Sequence, residues 1–235
     1  MKIRVFVLFL LLSVAALSAC SGSSELDFGS AKFRLLHLIP DSSAIQVEID
    51  GSTEVEDLRY LEVSEYRKIS SGTQLVEVSP LNSFLTYFRE SKNFRDGREY
   101  SIFAVGLQDV EGDEEDVDGI FVEDDNDKPD SGNARIRIIN AIPENQLSLD
   151  VYVTAPETNP DTIAPSIDRM RFKDVTDYLE APAGIYKIHV RNDQTNVDEF
   201  ITSPIELADR RVYTIALVTS RGGDKPYNAL VVRDR

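Results

Sequence analysis

The sequence predicts an all-β protein: two tandem β-sandwiches, immunoglobulin-like or transthyretin-like, behind a lipoprotein signal peptide. Three observations lead there. Short runs rich in β-branched and aromatic residues recur with a period of two, Gly, Pro, Asp and Ser separate them, and no stretch sustains a helical period. An internal repeat divides the chain beyond its first thirty residues into two copies of about a hundred residues each. Seven or eight short strands in that length is the density of a sandwich, where alternate side chains of two sheets close on one core. The immunoglobulin fold proper is disfavoured, because the 235 residues hold no Trp and one Cys.

Residues 1–19 read as an address rather than as part of the fold. Lys2 and Arg4 form a basic start, and 5–17 is almost wholly apolar. That run is too short for the roughly 18 to 20 residues of a spanning helix. The Leu17-Ser18-Ala19-Cys20 segment that follows resembles the bacterial lipobox, in which small residues admit the signal peptidase and the Cys thiol accepts diacylglycerol. The resemblance implies lipidation of Cys20 and a membrane held through that N-terminal lipid; an ordinary secretory signal ending at Ala19 is the alternative. Cys20 is the only cysteine, so no intramolecular disulfide forms despite export. In Gram-negative lipoproteins Asp after the Cys resembles an inner-membrane retention signal, so Ser21 implies sorting to the outer membrane. Residues 20–30 then form a flexible tether.

The repeat defines the domains. Residues 31–41 align without gaps on 134–144; Ile45, Val47 and Ile49 then match Leu149, Val151 and Val153, Tyr66 matches Tyr178, Gly72 matches Gly184, and Tyr100-Ser101-Ile102 matches Tyr213-Thr214-Ile215. The expected units are a first sandwich over 31–125, an acidic linker over 126–133 and a second sandwich over 134–235. Expected strands are 33–38, 45–49, 74–78, 84–88, 100–105 and 120–122 in the first copy. In the second they are 136–139, 147–153, 186–190, 212–218 and 229–232. The linker, charged and poor in apolar anchors, is the expected first site of proteolysis.

Charge is concentrated in one segment. The chain carries 41 acidic and 25 basic side chains, a net −16, and 109–130 holds twelve carboxylates against one Lys. A surface of that sign without a basic stripe excludes nucleic acid as a partner. From Glu114 the segment loosely echoes an EF-hand calcium loop, with oxygen side chains at alternate positions and Gly119 at the turn. Asp113, Glu114, Asp116, Asp118, Asp124 and Asp125 are therefore candidate cation ligands, and Ca2+ is the one cofactor they suggest. The match has faults: Glu stands where Asp should begin, Asp125 where Glu should end, and no helices flank the loop.

Arg34 and Arg137 occupy equivalent places on the opening strands. Arg offers five donors in a planar fork, so each is a structural clamp at the sandwich edge, next to the Pro-containing turn, or a ligand grip. His37 and Asn140 share the next equivalent place and suit turn backbone. Catalysis finds no foothold: the two histidines lie in different copies, and no Gly-x-Ser-x-Gly, Ser-x-x-Lys or phosphate-cradling Gly loop follows the signal.

The Ala-x-x-Arg-x-x-His/Asn-x-x-Pro-Asp/Glu opening, the run from Tyr178 to Tyr186 and the late Tyr-Thr strand resemble an exported bacterial repeat family, the domain of unknown function 4397. The resemblance covers nearly all of 31–235 and implies duplicated, lipid-anchored or cell-surface β-sandwiches; it transfers no catalytic residue. The first copy departs from the pattern where 69–74 replaces the Pro-Ala-Gly-x-Tyr hairpin. The expected function is a non-catalytic cell-envelope module, on the periplasmic face or the cell surface, that engages a protein or glycan. The alternative is a calcium-dependent structural or adhesive module built on 109–130.

Overall fold

The computed structural model describes residues 29–108, 116–143, 148–221 and 226–235. In the first repeat the strands are β1 (Ser30–Leu38), β2 (Ile45–Ile49), β3 (Ser52–Leu58), β4 (Arg67–Ser70), β5 (Gly72–Pro80), β6 (Phe88–Phe94), β7 (Glu99–Leu107) and β8 (Asp116–Asp124). They form two sheets, ordered β4-β1-β7-β8 and β3-β2-β5-β6. The second repeat supplies β9 (Asn133–Asn140), β10 (Leu149–Thr154), β11 (Ile167–Met170), β12 (Leu179–Pro182), β13 (Gly184–Asn192), β14 (Asp198–Ile201), β15 (Ile205–Leu207), β16 (Val212–Thr219) and β17 (Tyr227–Arg233). Its sheets run β12-β9-β16-β17 and β11-β10-β13-β14, with β15 paired to β13. In both repeats the opening strand lies parallel to the penultimate one, β1 to β7 and β9 to β16. The protein is all-β, and the described residues hold one 3-10 turn, at Pro160–Thr162.

Alternation explains which face of each strand is buried. The Ile45-Gln-Val-Glu-Ile49 pattern of β2 buries its three apolar residues and leaves Gln46 and Glu48 half-exposed, as expected for a sheet wetted on one side. The β1 run Phe-Arg-Leu-Leu-His-Leu is buried on both sides. Ala31, Phe33 and Leu35 join the core between the first repeat's two sheets, whereas Leu36 and Leu38 point the other way. The second repeat divides β9 likewise: Ala134, Ile136 and Ile138 face its own core, Ile139 the opposite side.

Those opposite sides meet. A third apolar cluster joins Leu36, Leu38, Phe103 and Val105 to Ile139, Ala141, Ala216 and Val218, so the β4-β1-β7-β8 sheet packs face to face on β12-β9-β16-β17. The continuous apolar character of the opening runs is the mark of strands covered on both faces.

Several expectations change. Residues 84–87 belong to the β5–β6 connection, not to a strand, and Phe84 is fully exposed there; the strand begins at Phe88. The acidic 52–58 stretch forms edge strand β3, where Val55 and Leu58 pack inward. The linker is also less open than its composition suggests. Asn126 and Pro129 are buried, Asn126 Nδ2 donates to Glu99 at 2.8 Å, and its carbonyl accepts from Arg235 at 3.0 Å. Backbone and side-chain hydrogen bonds hold it down where apolar anchors are scarce.

Candidate functional site

The face between the repeats contains a closed ring of polar side chains. Register places Arg34 beside Ser101 on the β1–β7 pair and Arg137 beside Thr214 on the β9–β16 pair, all four on the shared face. Arg34 Nε donates to Ser101 Oγ at 2.8 Å, and Ser101 donates to Asp124 Oδ2 at 2.8 Å. Arg137 Nη2 donates to Asp124 Oδ1 at 2.7 Å and to Thr214 Oγ1 at 2.9 Å. Thr214 donates to Asp234 Oδ2 at 2.7 Å, and Arg34 Nη2 closes the circuit on Asp234 Oδ1 at 2.5 Å. Each arginine thus grips the carboxylate at the C-terminal end of the other repeat's last strand, Asp124 as the final residue of β8 and Asp234 as the residue after β17. Two guanidiniums and two carboxylates leave the ring neutral, which is the condition for burying charge at all.

Tyrosines complete it. Tyr66 donates to Asp124 at 2.7 Å and Tyr178 to Asp234 at 3.3 Å, while each ring centroid lies 4.9 Å from its own repeat's guanidinium carbon. Burial pushes both phenols far above their ordinary range; next to it, Asp124 raises Tyr66 further, and Arg137 draws Tyr178 back only in part. Both therefore remain neutral donors. Burial alone would lower the Arg34 pKa, but the charges of Asp234 and Asp124 and the hydrogen bond to Asp234 outweigh it and raise it. Further contacts brace the joint: Lys173 pairs with Asp118 at 2.9 Å, Tyr60 donates to the Thr219 carbonyl, and Arg221 donates to the carbonyls of Pro40 and Ser42.

The sequence-derived candidates separate accordingly. Arg34 and Arg137 are brought together across the repeats, as clamps at their junction rather than at a sandwich edge. Asp124, expected among the cation ligands, is instead fully buried against Arg137. Asp125 pairs with Arg135 at 2.7 Å, which lowers its pKa, and Asp118 faces Lys173 some six residues up β8 from Asp124. At about 3.3 Å per residue Asp118 stands too far from Asp124 and Asp125 to share one ion with them. Asp116 opens β8, and Cys20, Asp113 and Glu114 lie outside the described residues. Among the described residues no three His, Cys, Asp or Glu side chains converge as a metal site.

Sequence reasoning missed Ser101, Thr214 and Asp234. The signal was present: Ser101 and Thr214 align through Tyr-Ser/Thr-Ile, and the alignment of 120–122 with 230–232, carried two residues on, equates Asp124 with Asp234. The histidines lie apart from the ring. His37 Nε2 meets the Ser43 carbonyl at 2.9 Å and its Nδ1 the Ile39 N–H at 3.3 Å. Asn140 makes the matching bonds, to the Met170 carbonyl and from the Ile142 N–H. His189 is buried on β13 in the second repeat.

The family model described as "Domain of unknown function (DUF4397)" matches residues 31–152, the whole first repeat and the opening of the second. Among solved structures, the family CBM26 carbohydrate-binding module CBMbc from Eubacterium rectale Amy13K, in complex with maltoheptaose, is similar at 9% identity, covering 88% of this chain and 97% of that one with a TM-score of 0.28. A putative adhesin from Bacteroides ovatus is similar at 9% identity, with coverage of 91% and 98% and a TM-score of 0.24. The fimbrial anchor protein Mfa2 from Porphyromonas gingivalis is similar at 10%, with 87% and 97% and a TM-score of 0.22. Likeness this faint says nothing of function. No curated protein matches the chain.

Proposed function

The chain belongs to the DUF4397 family, and on that footing we propose that it is a non-catalytic module of the bacterial envelope, held by lipid on Cys20 at the outer membrane, that presents two sandwiches as one rigid body to a protein or glycan. The observation that carries this reading is the neutral ring of Arg34, Asp234, Thr214, Arg137, Asp124 and Ser101, buried between the repeats. Its distances suit a permanent joint, and its charges are spent on one another rather than held for a reacting group. Loops at the ends of both sandwiches then keep a fixed spacing, which suits bivalent recognition of an extended partner.

Two measurements test it. The full chain and a Cys20→Ala variant are expressed in a Gram-negative host and fractionated; the parent should sediment with outer membrane and the variant should become soluble after export. Equal membrane retention of both overturns the anchor. The mature protein is then assayed on ester, peptide and glycoside panels and for co-sedimentation with envelope polysaccharide and cross-linking to envelope proteins. Turnover overturns the non-catalytic reading, and specific retention of a glycan or a protein supports it.

A further inference from the structure

We propose that the β10–β11 connection, residues 155–166, is an acid-operated strap that closes over His189 while its imidazole is neutral and lifts when the ring becomes cationic. The device lies in the second repeat, away from the ring of arginines, and does not depend on what the module binds. Register sets the stage: Tyr152 stands opposite His189 and Val153 opposite Ile188 on the β10–β13 pair. Leu149, Val151, Ile188 and Val190 face the second repeat's core, so Tyr152, Thr154, His189 and Arg191 alternate onto the other face. The outer face of an antiparallel sheet is commonly wet. Here Tyr152, Thr154 and His189 are only 5, 4 and 8% exposed. The segment brought over that face is the strap: Asp161 Oδ1 accepts from Arg191 Nη1 at 2.6 Å, and Pro160 beside it is buried.

His189 is the group that senses acid. Both its ring nitrogens are buried with no hydrogen-bond partner among the described residues, and so is Thr154 Oγ1 on the same face. A neutral imidazole tolerates this, whereas an imidazolium would leave two N–H groups and a charge unmatched in a dry place. The neighbours do not help it. Arg191 and Lys187 flank the ring along β13, Tyr152 stands across from it on β10, and Ile201 on β14. Asp198 of β14 is committed to Arg191 Nε at 2.8 Å; the strap brings Asp161, held by Nη1 of the same guanidinium, and an exposed Glu157. Burial therefore lowers the His189 pKa, and Arg191 and Lys187 add to this against Asp198.

The strap is fastened lightly enough to answer. Its middle is tied to the sheet by Asp161, which is itself 61% exposed, while Asn159 shapes its turn and Ser166 returns it to β10. When it lifts, Arg191 keeps Asp198, so no charge is stranded, and water reaches His189 and Thr154. A segment held this way opens without the core. The sign follows from the lowered pKa: the closed form is fully favoured above about pH 6.5, where an ordinary histidine is neutral, and each pH unit below that raises the open fraction up to about tenfold. Because only the strap moves, the response in global unfolding is capped by the small cost of lifting it.

The test is thiol labelling of the Cys20→Ala protein carrying Thr154→Cys, whose thiol lies beneath the strap, with a dipyridyl disulfide that reacts in acid. Each rate is divided by that of the urea-unfolded protein at the same pH, and melting temperatures confirm that the fold persists. Labelling should rise about tenfold from about pH 7.5 to about pH 5.5, and less than about twofold when His189→Gln is added. Asp161→Asn should label faster already at about pH 7.5. An equal acid rise with and without His189→Gln, or none in either, overturns the switch; unchanged labelling in Asp161→Asn overturns 155–166 as the cover. If His189→Gln fails to fold, NMR titration of the His189 ring decides. Its midpoint should move up toward about 6.5 in Asp161→Asn, and an unmoved midpoint overturns the coupling.

Discussion

Arg34 and Asp234 lie 200 positions apart in sequence and meet at 2.5 Å, their side chains buried between the two repeats. Arg137 and Asp124 make the reciprocal contact at 2.7 Å, so the joint has the self-complementary form of a two-fold dimer interface within a single chain.

Breaking either contact from one side strands a charge. Arg34→Ala and Arg137→Ala should each destabilise the protein by about 3 to 5 kcal/mol, because the facing carboxylate loses its partner in a dry layer. Replacing both members, as in Arg137→Met with Asp124→Leu, should recover much of that loss. Urea denaturation of the four proteins checks this; equal losses in the single and double variants would contradict it.

Acid sensitivity should be traceable to His37. Burial first, and Arg221 second, push its pKa down to about 4 against the bond to Ser43 that raises it. The unfolded chain takes up this proton below about pH 6.5 and the folded one only below about 4, so stability is full above 6.5 and falls across that window. The contribution is up to about 3 kcal/mol. Asn fills the same role at position 140, so His37→Asn should fold and flatten the profile between pH 6.5 and 4. An unchanged profile would assign the acid response elsewhere.

Gly119 on β8 has no room for a side chain. A Cβ there would stand 2.6 Å from Phe88 and 2.8 Å from Phe121, whose rings pack edge to face. Gly119→Ala should therefore destabilise by about 1 to 3 kcal/mol through overpacking, read as a lowered melting temperature.

Calcium should raise the melting temperature no more than magnesium at matched ionic strength, the response of an acidic segment to screening. Asp118→Asn should lose under about 1 kcal/mol with its part-exposed Lys173 pair. A large calcium-specific rise, abolished in Asp113→Asn/Asp116→Asn/Asp118→Asn, would restore the cation-dependent alternative.

Proteolysis should attack the Phe84 turn, where the ring is fully exposed, before the segment from Asp124 to Asn133. Mass mapping of the earliest proteinase K fragments decides this. First cleavage beside Lys128 would show that its hydrogen bonds do not hold it.

Local pattern alone determined that this chain is all-β and duplicated: alternation in Ile45–Ile49, turn residues between runs and the 31–41 match to 134–144 are properties of neighbours along the chain. It also placed Arg34 and Arg137 on equivalent strands. What that pattern left open is where a strand's second face goes. The apolar residues Leu36 and Ile139 suit a sheet covered on both sides, but only packing brings the first repeat's sheet onto the second's, and with it Asp124 onto Arg137 rather than into a cation loop. Periodicity reports which side chains share a face, whereas an ion pair between charges far apart in sequence depends on how two finished faces dock. The polar ring therefore belongs to the tertiary structure, because its desolvation and its neutrality exist only once both repeats are in place.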